Sequence, residues 1–300
     1  MQAHWIAVYA DTAKLRAWVF DAEGEQHFIS AIKNHKFQKA EFEAALLNLI
    51  DPYLPEGQKT PVILSATLGS IRNLPQMPYA TTPCKISDAA NVVATPSDDP
   101  RIDLHILCGA VQQKPADIIQ GEAITIAGFM ASHPDFDGII CLPGAYTKWV
   151  HISAKEIVSF RTVMTGEMFD LLSTQSVLHE TVDSDDWNKG AFLEAVSDAM
   201  SSPQRVTAKL FGLRAEALLN EIEPGVIRSR LSGYLSGLEL AGTRDYWLGQ
   251  EVAVVGEPIL TAHYTAALSA QGFQARVFDS APLMLEGFKS VYAKQGTFVS

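Results

Sequence analysis

The chain has 300 residues, enough for two domains of ordinary size, and its 47% hydrophobic and 19% charged residues exclude a disordered or fibrous protein. Its 34 acidic and 23 basic side chains leave a net charge of −11, a field that repels phosphodiester backbones and anionic lipid. Neither nucleic acid nor a membrane is expected as a partner, and any anionic ligand has to be held locally, by backbone N–H groups or by single Lys and Arg side chains.

The chain opens on strand, turn, strand. Trp5 to Tyr9 is apolar and β-prone, Ala10 to Lys14 is small and polar, and Leu15 to Phe20 is apolar again. A turn at Asp21 to Gly24 leads to a third strand, Gln26 to Ile32. Phe42, Ala45, Leu46, Leu49 and Ile50 share one helical face before Pro52 ends the helix. Val62 to Ala66 reads as a buried strand, residues 68–103 as loops and short strands, Leu104 to Leu107 as a strand, and Gly121 to Ala131 as a helix. Cys84, Cys108 and Cys141 are too widely spaced for a zinc site and read as reduced core residues of a cytoplasmic protein. No basic leader precedes the first apolar run, and no stretch reaches the roughly 18 apolar residues of a membrane span.

The segment Ala131 to Gly138 marks a compositional break, giving domains at 1–137 and 138–300. After it the opening pattern returns: strand Ile139 to Leu142, a turn through Thr147, strand Trp149 to Ile152, then Glu156 to Phe160. Two such copies about 135 residues apart suggest a duplicated domain. Helices follow, with Met164, Met168, Leu171 and Leu172 on one face, Leu210, Phe211, Leu213, Ala217 and Leu218 on a second, and Leu231, Tyr234, Leu235 and Leu238 on a third. Strand Val252 to Val255, Gly256, a helix through Leu260, Tyr264 and Leu268, and strand Ala275 to Phe278 close the chain as an α/β unit.

A turn that holds phosphate needs inward backbone N–H groups, hence small residues, and a hydroxyl or cation to complement them. Pro143-Gly-Ala-Tyr-Thr-Lys-Trp149 fits: Gly144 admits a phosphate to the backbone, Thr147 offers a hydroxyl, and Lys148 brings charge. The same residues also suit a plain surface hairpin. Gly256, at the end of its strand, suits a ribose or adenine lying on the backbone, as it suits many α/β turns.

Pro143 to Trp149, Phe160-Arg-Thr-Val-Met-Thr-Gly-Glu-Met-Phe169, Leu231-Ser-Gly-Tyr-Leu-Ser-Gly-Leu-Glu-Leu240 and Val254-Val-Gly-Glu-Pro258 resemble, in order and spacing, the 2-keto-3-deoxygalactonokinase family. Ile6 to Trp18, Gly69-Ser70 and Pro78-Tyr79 extend the likeness over most of the chain. The resemblance implies an α/β fold of two duplicated actin-like ATPase (ribonuclease H-like) domains with a central cleft, the first on the sugar-acid side and the second on the nucleotide side. It also implies transfer of the ATP γ-phosphoryl group to a hydroxyl of a 2-keto-3-deoxy sugar acid, with Mg²⁺ as the metal.

Carried over by position, the resemblance makes Glu122 the catalytic base at a helix start. Thr12, Lys14, Gly144, Thr147 and Lys148 become phosphate contacts, Gly256 and Glu257 nucleotide contacts, and Arg72, Thr165, Gly166 and Glu167 contacts to the sugar acid. The family's first hairpin reads Asp-Trp-Gly-Thr-Thr-Asn-Leu-Arg-Ala-Trp where this chain has Tyr9-Ala-Asp-Thr-Ala-Lys-Leu-Arg-Ala-Trp18. The lost aspartate leaves Asp11 as a displaced metal ligand, and Ala123 replaces a carboxylate beside Glu122. These departures motivate a second reading, a catalytically impaired paralogue that binds or regulates. A homodimer is compatible with the sequence without being required by it.

Overall fold

The computed structural model describes residues 1–11, 14–32, 37–67, 69–72 and 77–294. Two compact units divide the chain: Met1–Phe136, Ser153–Ser159 and Ser280–Ser300 form the first, and Asp137–Ile152 with Phe160–Asp279 the second.

In the first unit, β1 (Trp5–Ala10) and β2 (Lys14–Phe20) form an antiparallel hairpin in register from Trp5↔Phe20 to Ala10↔Leu15, and β3 (Gln26–Ile32) extends it. Helix α1 (Lys39–Ile50) starts at a capping box in which the Gln38 N–H donates to Glu41 Oε2 at 2.9 Å. It buries Phe42, Leu46 and Ile50 against the sheet. Strand β4 (Thr60–Ala66) pairs parallel with β1, and all seven of its residues are buried, as expected of a strand with neighbours on both edges. Strand β5 (Val92–Thr95) and β6 (Ile102–Leu107) complete the order β3-β2-β1-β4-β6-β5. A separate hairpin, β7 (Ala110–Gln113) and β8 (Ala116–Ile119), leads into α2 (Ala123–Ser132).

The second unit repeats the scheme. Strands β9 (Gly138–Leu142), β10 (Thr147–Ser153) and β11 (Glu156–Val163, of which the residues up to Ser159 group with the first unit) follow one another, then helices α3 (Thr165–Gln175), α4 (Lys189–Ser201), α5 (Val206–Asn220) and α6 (Pro224–Gly242) intervene. Strand β12 (Val252–Gly256), α7 (Pro258–Ala270) and β13 (Arg276–Asp279) follow. The strand order β13-β12-β9-β10-β11 matches β6-β4-β1-β2-β3, with an antiparallel hairpin and parallel additions in the same places. The duplication suggested by the two hairpins thus extends to five strands of each six-stranded sheet.

The last helix, α8 (Ser280–Lys294), groups with the first unit, whereas the sequence break had put everything after 137 in one domain. It crosses α2 with the backbones touching: a Cβ on Gly128 would strike the Leu283 carbonyl, and one on Gly287 the Ile124 carbonyl. Two expected helix faces are also corrected. Met164, Met168 and Leu171 beside and on α3 are exposed, while Phe169 and Leu172 pack inward; on α5, Leu213 is buried and Phe211 and Leu218 are exposed. The three cysteines are free and buried, and among the described residues no helix is long and apolar enough to cross a membrane.

Candidate functional site

In the first unit the ends of β1 and β4 lie side by side, Ala10 opposite Ala66, and the Thr67 N–H donates to the Ala10 carbonyl at 2.9 Å. Beyond β1 the chain turns on Asp11. The Lys14 N–H donates to Asp11 Oδ1 at 2.7 Å, and Arg16 Nη2 donates to Oδ2 at 3.0 Å. Both carboxylate oxygens are thereby drawn into closing the hairpin. A metal on Asp11 would have to share a carboxylate that a guanidinium already neutralises, so Asp11 does not fit the expected role of metal ligand. Among the described residues no group of three or more His, Cys, Asp and Glu could hold a metal. Lys14 opens β2 and is half-buried. Thr12 lies outside the described residues, as does the side chain of Arg72.

Glu122 stands at the same end of this sheet. Gly121 lies against the end of β4, where an added Cβ would come within 2.7 Å of Ala66 C and Thr67 N, and Ser65 Oγ donates to the Gly121 carbonyl at 2.8 Å. Only glycine permits this approach, and it brings the next residue to the C-terminal edge of the sheet, where ligands of open α/β sheets bind. Glu122 is the N-cap of α2, so the helix the sequence began at Gly121 starts two residues later. Its Oε2 accepts the Gln120 N–H at 3.3 Å, and the side chain is half-buried.

The second unit builds the corresponding turn at 143–147. The N-terminus of α3 is pressed onto it: a Cβ on Gly166 would strike the Gly144 carbonyl and lie 2.8 Å from Ala145 Cα. The Glu167 N–H donates to the Ala145 carbonyl at 3.0 Å, and the Glu167 carboxylate bonds the Tyr146 hydroxyl. Burial, reinforced by that carboxylate, raises the Tyr146 phenol pKa. Gly166 and Glu167, expected to meet the sugar acid, fasten the turn, and Thr165 and Gly166 line a cavity beside it. Gly144 itself is open, with nothing within 4 Å of a Cβ.

Alternation along β10 separates Thr147 and Trp149 from Lys148. Lys148 is 2% exposed and its Nζ donates to Thr162 Oγ1 at 2.8 Å. Expected as a phosphate contact, this ammonium lies on the face of β10 opposite Thr147 and Trp149. Thr147, fully buried, bonds the Tyr264 hydroxyl of α7 at 2.8 Å. Tyr264 donates to Glu239 Oε2 at 2.8 Å, Trp149 Nε1 donates to Glu239 Oε1 at 2.8 Å, and the Thr165 hydroxyl is a third donor to this carboxylate. Burial pushes the Glu239 carboxyl up to about 7 against these three donors. Glu239 was not among the sequence candidates. Its signal was an acidic residue inside the apolar repeat Leu231 to Leu240.

A cavity of about 600 Å³ adjoins the turn, lined by Gly144, Gly166, Arg228, Leu260, His263 and Tyr264 among others. The Arg228 guanidinium lies 4.9 Å from the Phe169 ring centroid and puts a cation in the wall. Burial raises the nearby Asp170 carboxyl, Arg228 lowers it in part, and Glu167 adds to the rise. His263, whose pKa burial lowers, stacks on Trp187 at 3.8 Å. Gly256 ends β12 against Pro143, 3.4 Å from a would-be Cβ to Pro143 Cδ, and Glu257 is the exposed N-cap of α7. Gly256 also lines a wider groove of about 830 Å³ that takes in no residue of the turn. The smaller cavity has a small-residue turn and a helix N-terminus at one end, and its walls mix Phe169, Trp187 and Leu260 with Asp170, Asp185, Asp186 and Arg228.

A family model described as 2-keto-3-deoxy-galactonokinase matches residues 11–291. A Rhizobium meliloti (strain 1021) protein named "Probable 2-dehydro-3-deoxygalactonokinase DgoK1" is 28% identical over 286 residues, covering 92% of each chain. The 2-dehydro-3-deoxygalactonokinase of Escherichia coli (strain K12) is 26% identical over 292 residues, 97% of this chain and 98% of that one. A crystal structure from Sinorhizobium meliloti, described as a candidate 2-dehydro-3-deoxygalactonokinase, superposes with a TM-score of 0.85 at 27% identity, covering 99% and 98%. A dehydratase activator from Clostridium difficile, at 11% identity and a TM-score of 0.50 over 99% and 98%, is alike in fold alone.

Proposed function

The chain belongs to the 2-keto-3-deoxy-galactonokinase family, and from that premise we propose that it is an ATP-dependent kinase acting on a hydroxyl of a 2-keto-3-deoxy sugar acid. Its fold is the duplicated α/β fold of actin-like ATPases and sugar kinases. The observation that carries the reading is the turn at 143–147, clamped by the N-terminus of α3 and opening on a cavity of about 600 Å³. A helix N-terminus and small-residue backbone suit the phosphates of a nucleotide. The walls from α6 and α7 suit its nucleoside, and Arg228 offsets charge that the acidic chain does not otherwise neutralise.

The reading gives the acceptor hydroxyl to Glu122. A base must reach the proton it removes and sit where the acceptor docks. Glu122 is at the C-terminal edge of its sheet and its Oε2 is oriented by the Gln120 N–H, so the carboxylate is aimed before substrate arrives. Proton removal and positioning are what such a residue contributes to phosphoryl transfer, the remainder being electrostatic. Kinases of this kind usually use a divalent metal with ATP. Asp11 serves its own turn here, and no step is assigned to an ion through it. The impaired-paralogue reading draws no support from the relatives, which carry the kinase name.

The test is a coupled assay of ADP release with ATP and 2-keto-3-deoxygalactonate, beside calorimetric titration of ATP, for the wild type and Glu122→Gln. Turnover that falls by about 10²-fold or more in the variant, with ATP affinity kept within twofold, is the expected result for a general base. Turnover unchanged in Glu122→Gln would remove the base assignment, and no turnover with no ATP binding would remove the kinase reading.

A further inference from the structure

Helix α6 divides its small residues between two faces. Gly233 and Gly237 are pressed onto α4, where an added Cβ would strike the Phe192 and Val196 carbonyls. Ser232 and Ser236, each one residue earlier, line the cavity of about 600 Å³ instead, with Arg228 a further turn back. The spacing 228, 232, 236 puts all three on one side of the helix. The repeat Leu231-Ser-Gly-Tyr-Leu-Ser-Gly-Leu-Glu-Leu240 thus carries a packing face and a cavity face.

Ser236 stands apart from the other buried hydroxyls at this helix. Ser229 Oγ donates to the Gly225 carbonyl at 2.7 Å and accepts the Asn188 N–H at 2.9 Å, and Thr243 Oγ1 donates to the Glu239 carbonyl at 2.9 Å. Ser236 is 8% exposed, yet among the described residues none bonds its hydroxyl. A buried hydroxyl costs free energy unless something bonds it, so this one is placed for a group that enters the cavity.

The charges of the cavity orient that group. At one end lie Gly144 and the N-terminus of α3, and Ser236 is one turn from Glu239, which bonds Thr165 at that N-terminus. Eight residues back along α6, about 12 Å at the helical rise, Arg228 lies against Phe169, and the turn before it sets Gly225 against Asp186. Asp170, Asp185 and Asp186 line this far end against the Arg228 guanidinium, so the anionic part of a nucleotide goes to the turn instead. Its ribose comes next, beside Ser236, and its base lies towards Arg228. We propose that Ser236 determines nucleotide specificity by hydrogen-bonding a ribose hydroxyl, so that the site selects ribonucleotides over their deoxy counterparts. The inference rests on the kinase reading of this cavity.

Calorimetry of ATP, 2′-deoxy-ATP and 3′-deoxy-ATP with the wild type and Ser236→Ala tests it. In the wild type the deoxy nucleotide that lacks the bonded hydroxyl should bind about fivefold more weakly than ATP, the scale of one neutral hydrogen bond. Ser236→Ala should bind ATP about fivefold more weakly and no longer distinguish it from that analogue. Without nucleotide, the variant should melt at or above the wild-type temperature, since no group of the chain loses a bond and alanine is the better helix former. Equal binding of all three nucleotides by the wild type overturns the inference, as does discrimination that survives in Ser236→Ala. An equal loss for all three nucleotides in the variant assigns Ser236 to the phosphates or the base and overturns it too. A melting temperature several degrees lower gives the serine to the fold, with the same consequence. In each of these outcomes the wild type still binds ATP, whereas no ATP binding by the wild type overturns the kinase reading as well.

Discussion

Gly166→Ala isolates the contact on which the turn at 143–147 depends. The new Cβ would strike the Gly144 carbonyl and come within 2.8 Å of Ala145 Cα, both backbone atoms that cannot rotate away. Helix α3 or the turn must withdraw. That forfeits the 3.0 Å bond from the Glu167 N–H to the Ala145 carbonyl and strains the bond from Thr165 to Glu239. A lost hydrogen bond costs about 1 kcal/mol and overpacking about 1–3 kcal/mol. Alanine's helix propensity returns at most about 1 kcal/mol. The net loss is about 1–3 kcal/mol, or roughly 3–10 °C in the melting temperature of a unit this size. Displacing the turn by about an ångström should also raise the KM for ATP at least tenfold. Thermal unfolding and ATP kinetics together read both effects. Gly144→Ala is the control: its Cβ meets nothing within 4 Å, so its melting temperature should match the wild type while its KM rises if a phosphate needs that space. Wild-type melting and wild-type KM in Gly166→Ala would refute the clamp.

Asp11→Asn keeps an acceptor for the Lys14 N–H and removes the ionic partner of a half-buried Arg16. We expect a loss of about 1–2 kcal/mol in urea unfolding, and no change in the metal concentration that half-saturates activity. A large shift in metal requirement would restore Asp11 as a ligand. Glu239 also predicts a stability profile. Its carboxyl rises from 4.5 in the unfolded chain to about 7 in the folded one, so the folded state binds the proton more tightly between those values. The stabilisation is complete below pH 4.5 and is lost as pH rises through 7, in all about 3 kcal/mol. Urea unfolding of the wild type should therefore lose about that much more than Glu239→Gln between pH 4.5 and 7.5, and parallel profiles would refute it.

The hairpins and buried strands were legible because period-two apolar runs leave little choice of face. Ile6, Val8 and Leu15, or Ile139, Cys141 and Trp149, bury wherever the partner sheet lies. The helices were less legible. Met164, Met168 and Leu171 share a helical face with Leu172 yet remain exposed while Leu172 packs inward with Phe169, because the period alone does not say which edge of the face meets the core. Helices α4 and α8 and the hairpin at 110–119 went unread. In α8 the deciding residue is Gly287, whose value lies in letting a distant helix, α2, touch its backbone. Nothing local in the sequence announces such a crossing, and it is this contact that carries residues after 280 into the first unit.

Site residues divide along the same line. Gly166, found as a motif letter, and Gly121, read only as a helix start, both approach a backbone, and the structure supplies the neighbour that requires each to be glycine. Those whose surroundings depend on which way a strand faces could be named from the motif but not given their partners. Thr147 and Lys148 are adjacent in sequence and both looked like phosphate contacts, but a pleated strand cannot aim neighbours at the same point. One therefore bonds Tyr264, which donates to Glu239, and the other donates to Thr162. The same alternation puts Trp149 back beside Thr147 and onto Glu239. An acidic residue in the middle of an apolar helix face marks a buried donor set nearby, because an unpaired carboxylate there would cost several kcal/mol. The donors to Glu239 come from β10, α3 and α7, the elements that carry the turn, its clamp and the cavity wall. The carboxylate least visible in the sequence is thus the one through which the turn, its clamp and the cavity wall are joined.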